Sequence, residues 1–156
     1  MPVYYHIHRS IKKSNIENNF KEGQMLYFSK KNSFWYNIEK NIALDGYNGY
    51  SEYKITIPQK YFTYSLNPKS KNKILKLTPK NIEKFIKLHL NLLKSKKSLR
   101  DYFINKKFIG IDATNENLYD FYSKLKIEAQ LYPPQGWITK KYKDIIIEKV
   151  DVCASK

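Results

Sequence analysis

Residues 69–107 combine the densest positive charge in the chain with apolar side chains at helical spacing. This basic segment holds thirteen Lys or Arg residues and two acids, Glu83 and Asp101, so it carries +11 of the +15 net charge of all 156 residues. So many ammonium groups are too costly to bury. The segment must therefore fold with an apolar face toward a core and its lysines toward solvent.

The clearest helix signal lies within the basic segment. Thr78-Pro79 joins a capping hydroxyl to a proline suited to the first helical position, so we expect a helix to begin there. Ser98, three residues before Asp101, predicts the start of a second helix in a capping-box pattern. The expected apolar face of the first helix contains Ile82, Phe85, Ile86, His89 and Leu93, widened by Leu88 and Leu92.

Strands are predicted on both sides of the basic segment. Residues 50–57 alternate apolar and polar side chains, which is typical of a strand with one buried face. Most connections are too short for regular crossover helices. We therefore predict an α+β fold, a compact mixed or antiparallel sheet with a basic helical insert at about residues 69–107. Other strands are expected at residues 3–8, 25–28, 61–66, 108–111, 127–132 and 143–152, and other helices at 34–43 and 114–125.

Composition favours one folded domain over residues 1–156. The length suffices for an ordinary core, and an aromatic content of 15% argues against disorder. The longest uncharged apolar run, Ile145-Ile146-Ile147, is far shorter than the roughly 20 residues of a membrane helix. The N-terminus has no basic-then-apolar leader, so we expect an intracellular protein, cytoplasmic or nuclear. The sequence leaves the oligomeric state open.

Several catalytic motifs are missing from the sequence. It contains no P-loop, no Gly-rich dinucleotide fingerprint and no Cys-x-x-Cys pair. Its single cysteine, Cys153, excludes an internal disulfide. His6 and His8 alternate on the first predicted strand and would need distant acids to hold an ion, so no metal is expected.

Three short stretches outside the basic segment carry another signal. They are Tyr5-His6-Ile7-His8-Arg9-Ser10, then Gly23-Gln24-Met25-Leu26-Tyr27-Phe28-Ser29 with Tyr36 beyond it, and finally Ile127-Glu128-Ala129-Gln130-Leu131-Tyr132-Pro133-Pro134. In this order they resemble the motifs of the ADP-ribosyltransferase family. The resemblance implies that NAD is the cofactor.

The resemblance also implies roles for individual residues. His8 or Arg9 would bind the ribose or phosphate of NAD. Tyr27 would lie at the nicotinamide subsite, and Tyr36 would stack on the ring.

Glu128 would be the catalytic acid implied by the resemblance. Its negative charge would hold the ribose hydroxyl and favour an oxocarbenium-like transition state. The family places its essential Glu at the second acidic position of this motif, where the chain has Gln130. If Gln130 holds that place, nucleotide binding without efficient catalysis is implied, so the sequence leaves open whether the chain is an enzyme.

The basic segment favours a different function, binding to nucleic acid or another polyanion. Lysines follow phosphates without reading base edges, because an ammonium lacks the planar fork of arginine. Aromatic residues nearby could stack unpaired bases. A solvated helix exterior is the alternative explanation of the charge. The expected phosphate contacts are Lys73, Lys76, Lys80, Lys84, Lys87, Lys97 and Arg100.

Three classes of function therefore remain. The first is an ADP-ribosyltransferase-like protein that uses NAD and acts on an acidic or nucleic-acid acceptor. The second is a non-enzymatic, basic nucleic-acid-binding or accessory protein, viral proteins included. The third is a structural or interaction protein whose lysines follow the codon use of an A/T-rich genome.

Overall fold

The computed structural model of the chain describes residues 2–8, 20, 25–30, 50–118 and 135–153. They belong to two compact units, one made of Met1–Gln59 with Thr139–Lys156 and the other of Lys60–Ile138. The described elements are β1 (Val3–His8), β2 (Leu26–Ser29), β3 (Tyr50–Thr56), β4 (Phe62–Thr63), β5 (Lys73–Lys76), α1 (Ile82–Lys94), α2 (Leu99–Asn105), β6 (Phe108–Asp112), β7 (Gln135–Ile138) and β8 (Ile146–Cys153).

These elements agree with the predicted α+β class. Short 3₁₀ turns occupy Gln59–Tyr61 and Glu116–Leu118. The predicted helix at 34–43 and the predicted strand at 127–132 lie outside the described residues. A single domain over residues 1–156 stays a prediction.

The first unit contains an antiparallel sheet in the order β2-β1-β3-β8. The alternation predicted for residues 50–57 is confirmed, because Tyr53, Ile55 and Ile57 are all fully buried. Tyr4 lies opposite Ile55 in the ladder, and its ring centroid is 4.5 Å from that of Phe28. The buried face of this sheet is therefore built from alternate residues of neighbouring strands, as the sequence pattern indicates.

The second unit contains a mixed sheet. Strands β4, β5 and β6 are parallel, and β7 pairs antiparallel with β6. The sequence did not predict β5, which lies inside the basic segment and is flanked by β4 and β6. Residues 69–107 thus supply a sheet strand as well as two helices, so we describe them as a basic segment and not as a helical insert.

Gly110 allows β6 and β7 to approach each other. It lies opposite Ile138 in the antiparallel ladder. A Cβ at this position would collide with the backbone carbonyl oxygen of Trp137 and press on Ile138. A side chain there would force the two strands apart, so glycine is required by close packing.

Helix α1 has one apolar face, as predicted, but that face is shifted. Its buried residues are Ile82, Phe85, His89 and Leu92, which follow the 3.6-residue period. Leu93 was expected on this face and is instead 39% exposed. The prediction for Leu93 was wrong because Leu92, and not Leu93, continues the buried helix face formed by Ile82, Phe85 and His89.

The start of α1 also differs from the sequence prediction. Thr78-Pro79 belongs to a turn, and the regular helix begins at Ile82. The Thr78 carbonyl nevertheless accepts the Ile82 N–H at 3.0 Å. The Thr78 hydroxyl accepts the Lys80 N–H at 3.3 Å. The threonine therefore satisfies donors of the first turn, as a capping residue does, although the regular helix begins four residues later, at Ile82.

Asn81 joins this turn to the ends of two strands. Its side-chain amide donates to the carbonyl of Lys76 at 2.9 Å and to the carbonyl of Tyr64 at 3.0 Å. Its side-chain oxygen accepts the Thr78 N–H at 2.7 Å. One amide thus fixes the positions of the chain after β4, the end of β5 and the start of α1.

The start of α2 is confirmed as predicted. The Ser98 hydroxyl accepts the Asp101 N–H at 3.3 Å, so Ser98 is the N-cap. Phe103 then lies with its ring centroid 4.8 Å from that of Phe108 in β6 and 6.1 Å from that of Phe85 in α1. These aromatic contacts attach both helices to the sheet of the second unit.

Replacing Asn81 should destabilise the second unit. Asn81→Ala leaves the Thr78 N–H and the carbonyls of Tyr64 and Lys76 without this partner, and we expect a loss of about 2–3 kcal/mol in the free energy of unfolding. Asn91→Ala, on the exposed face of the same helix, should change it by less than about 0.5 kcal/mol. Urea unfolding measures both. Equal effects of the two variants would contradict the role given to Asn81.

Acid should destabilise the protein through His89. Burial lowers the pKa of His89 below its usual 6.5, so just below that pH the unfolded chain binds more protons than the folded one. The free energy of unfolding therefore falls as the pH drops below 6.5, by at most about 1.4 kcal/mol per pH unit from this group. His89→Leu should flatten this dependence in urea unfolding between about pH 7 and pH 5, and Asn91→Leu should retain it. If His89→Leu and the wild type show the same slope, His89 is not the group responsible.

Candidate functional site

The basic segment lies on the second unit, where it forms β5, α1, α2 and the turns between them. Most of its cationic side chains are exposed, among them Lys80, Lys84, Lys87 and Lys97. The apolar residues between them build the core of the same unit. This division leaves the ammonium groups free to meet an anion without being buried themselves.

Lysines share the exposed face of α1. Lys84, Lys87 and Lys94 are exposed and, with Asn91, follow one another at intervals of three or four residues. That spacing places neighbouring side chains about 5–6 Å apart at Cβ on one side of a helix. Lys80 lies in the turn four residues before Lys84 and extends the row. We call Lys80, Lys84, Lys87 and Lys94 the lysine row.

An exposed aromatic side chain lies where the lysine row begins. Tyr64 is 55% exposed, and its carbonyl oxygen accepts a hydrogen bond from the Asn81 side chain. Asn81 directly follows Lys80, so this bond holds Tyr64 close to the first member of the row. An exposed ring beside a row of cations is the combination that single-stranded nucleic acid needs, for stacking and for phosphate contacts.

Strand β5 carries two predicted phosphate contacts that do not belong to the lysine row. The Nζ of Lys73 donates a hydrogen bond to the carbonyl of Lys60. The Nζ of Lys76 lies 5.4 Å from the ring centroid of Phe62. The ladder between β5 and β6 shifts register between Lys73 and Ile74, so strand alternation does not relate these two side chains simply. Lys73 and Lys76 were predicted in one set with the lysines of α1, and both instead contact residues 60–62.

Lys97 and Arg100 lie at the junction between α1 and α2. The Lys97 N–H donates to the Leu92 carbonyl at 2.8 Å, which closes the end of α1. Arg100 lies 3.5 Å from a carboxylate oxygen of Asp101, so part of its charge is already offset. An open depression of about 420 Å³ at this junction is lined by Lys96, Lys97, Ser98, Asp101, Tyr102 and Asn105.

Two of the four residues expected to bind NAD lie in the described part of the chain. His8 lies in β1 and Tyr27 in β2, strands that pair antiparallel with Tyr5 opposite Ser29. Extending this register places the backbones of His8 and Tyr27 on neighbouring strands, one residue away from direct opposition. The remaining residues of this prediction, Arg9, Tyr36 and Glu128, lie outside the described residues.

His6 makes a polar contact between the same two strands, and the sequence did not predict this contact. Its Nδ1–H donates to the carbonyl oxygen of Tyr27 at 2.6 Å. The alternating histidines were visible in the sequence, but the partner across the ladder was not.

Comparison of the chain with protein-family models, with curated proteins and with solved structures finds no match. Within the described ranges, no helix has the length and apolar character needed to cross a membrane. In that same part of the chain, no three His, Cys, Asp or Glu side chains gather as a metal site would require. Function must therefore be argued from the surface chemistry of the chain itself.

Proposed function

We propose that this protein binds single-stranded nucleic acid through the lysine row and Tyr64 on its second unit. The observation that carries the proposal is the row itself, three lysines along the exposed face of α1, whose opposite face is buried, continued by Lys80 in the turn before it. A row of cations can follow a phosphate backbone without reading sequence. Base stacking on Tyr64 would favour unpaired strands over duplex.

The remaining predicted contacts have secondary parts in this proposal. Lys97 and the Tyr102 ring line the depression at the α1–α2 junction, where a further nucleotide could lie. Arg100, already close to Asp101, would contribute less than an unpaired lysine. Lys73 contacts the Lys60 carbonyl and Lys76 the Phe62 ring, so both would contribute less than the exposed lysines of the row.

Binding to a labelled single-stranded oligonucleotide should weaken steeply with salt. Each phosphate contact contributes about −0.7 to the slope of log K against log salt for single strands. The triple variant Lys80→Gln, Lys84→Gln, Lys87→Gln should therefore reduce the magnitude of that slope by about 2. Fluorescence anisotropy over a range of salt concentrations measures it.

A matched control separates the row from net charge. Lys140→Gln, Lys143→Gln, Lys149→Gln removes the same three charges from exposed positions of the first unit and should leave the slope nearly unchanged. Equal effects of the two triple variants would mean that total charge, and not the row, drives binding. A wild-type affinity that does not vary with salt would contradict the proposal.

Tyr64→Ala tests the stacking part of the same proposal. We expect it to weaken binding to single strands by about 1–3 kcal/mol and to leave the salt slope unchanged, because no phosphate contact is lost. Duplex binding should change little. A loss of the same size for duplex and single strand would contradict stacking on this ring.

We propose ADP-ribosyl transfer from NAD as a second candidate function. The pairing of β1 with β2, which carry His8 and Tyr27, supports it, because both residues would have to contact one nucleotide. Glu128 would then supply the carboxylate, and the lysine row would attract an acidic or nucleic-acid acceptor.

Calorimetric titration with NAD and a transfer assay with labelled NAD test this second candidate. Glu128→Gln should abolish transfer, since an amide cannot stabilise the oxocarbenium-like transition state as a carboxylate does. Glu148→Gln, at an exposed position of β8, should retain it. If the wild type neither binds NAD nor transfers label, this candidate is excluded and the nucleic-acid proposal stands unaffected.

A further inference from the structure

Lysines gather at the edge of the sheet where its three parallel strands begin. Strands β4, β5 and β6 run in the same direction, so the residues that precede them meet at one edge. The chain has no Asp or Glu between Glu52 and Glu83 or between Asp101 and Asp112, so neither stretch that feeds this edge contains a carboxylate. The lysines in question are Lys60, Lys69, Lys71, Lys73, Lys106 and Lys107.

The backbone holds two of these lysines next to each other. The Asn72 N–H donates to the Lys107 carbonyl at 2.8 Å, and Lys73 pairs with Phe108 in the following step of the ladder. Asn72 and Lys107 both have left-handed backbone angles, with φ of 62° and 67°. Asparagine tolerates this conformation, whereas a lysine in it is strained relative to glycine. Lys107 is therefore held directly beside Asn72, the residue that follows Lys71.

The Lys71 side chain is also close enough to affect the charge of Lys107. Both residues are exposed, and the neighbouring Lys71 ammonium is the main cause that lowers the pKa of Lys107. Two neighbouring ammonium groups repel each other, and an anion bound between them relieves that repulsion. The Lys73 ammonium is held on the other side of β5, because it donates a hydrogen bond to the Lys60 carbonyl just before β4.

We propose that Lys71 and Lys107 form a binding site for a dianionic phosphate, the terminal phosphate of a nucleic acid strand. Charge matching favours a terminal group, because a phosphate monoester carries about −1.5 to −2 charges at neutral pH and a backbone diester only one. Two adjacent ammonium groups neutralise the monoester. The strand as the source of the phosphate rests on the proposed nucleic-acid function, whereas the phosphate site itself does not.

A preference for phosphorylated strand ends is the direct test. The wild type should bind a short oligonucleotide with a terminal phosphate about tenfold more tightly than the same oligonucleotide with hydroxyl ends, the gain expected from one charge-assisted contact. Separate 5′-phosphate and 3′-phosphate oligonucleotides show which end is held. The double variant Lys71→Gln, Lys107→Gln should reduce the ratio to about one.

Two further variants keep this test independent of folding and of net charge. Lys69→Gln, Lys106→Gln removes the same number of charges from the same edge and should retain the preference. Lys107→Gly suits the left-handed backbone, so it should fold at least as stably as the wild type and still lose most of the preference. Equal affinity of the wild type for both oligonucleotides, or an unchanged ratio in the double variant, would overturn the assignment to a strand end.

Titration with inorganic phosphate separates failure of the site from failure of the proposed function. In a ¹H–¹⁵N spectrum of the whole chain, the Asn72 and Lys107 amides should shift and saturate, and they should not in the double variant. Such shifts in a protein that binds no oligonucleotide would retain the phosphate site and reject the strand as its source. If neither amide shifts more than those of the lysine row, the site does not exist.

Discussion

The parallel pairing of β5 with β6 sets the position of almost every charge on the second unit. Ile74 and Leu75 of β5 are fully buried, and β6 is buried along its whole length beside them. Because these few apolar residues must enter the sheet, the lysines around them are displaced to the strand ends and to the outer faces of the helices. Gly110 permits the close approach of β7 on the other side of β6. The positions of the surface lysines therefore follow from the packing of the core.

The sequence predicted those elements whose signals are local. The alternation of residues 50–57 and the Ser98–Asp101 cap are both complete within a few residues, and both are confirmed. Strand β5 was missed because Lys-Ile-Leu-Lys has no periodicity of its own. Its strand conformation comes from ladders to β4 and β6, the second of which lies more than thirty residues further along the chain. The start of α1 was displaced for a similar reason, since the Asn81 side chain ties the Thr78 turn to distant carbonyls.

The sequence predicted most of the lysines of the candidate site, but it did not predict which of them lie together. The lysine row follows from helical spacing, so Lys80, Lys84 and Lys87 were predicted together and lie together. Lys73 and Lys76 were predicted with them but lie on β5, where they contact the Lys60 carbonyl and the Phe62 ring. The proximity of Lys71 to Lys107 had no sequence signal, since it depends on two parallel strands starting at one edge. The strands that carry His8 and Tyr27 are paired. This pairing does not test the NAD chemistry that the resemblance implies.

The crowding of ammonium groups at the edge of the parallel strands couples ionic strength to folding and to binding in opposite directions. Mutual repulsion among these lysines opposes the folded state, and dissolved ions screen it. Added salt should therefore raise the melting temperature of the free protein while it loosens a bound polyanion. A bound polyanion would also stabilise the folded protein, as salt does, because a ligand that binds only the folded chain stabilises it. The ligand and the fold would then depend on each other most strongly in dilute buffer.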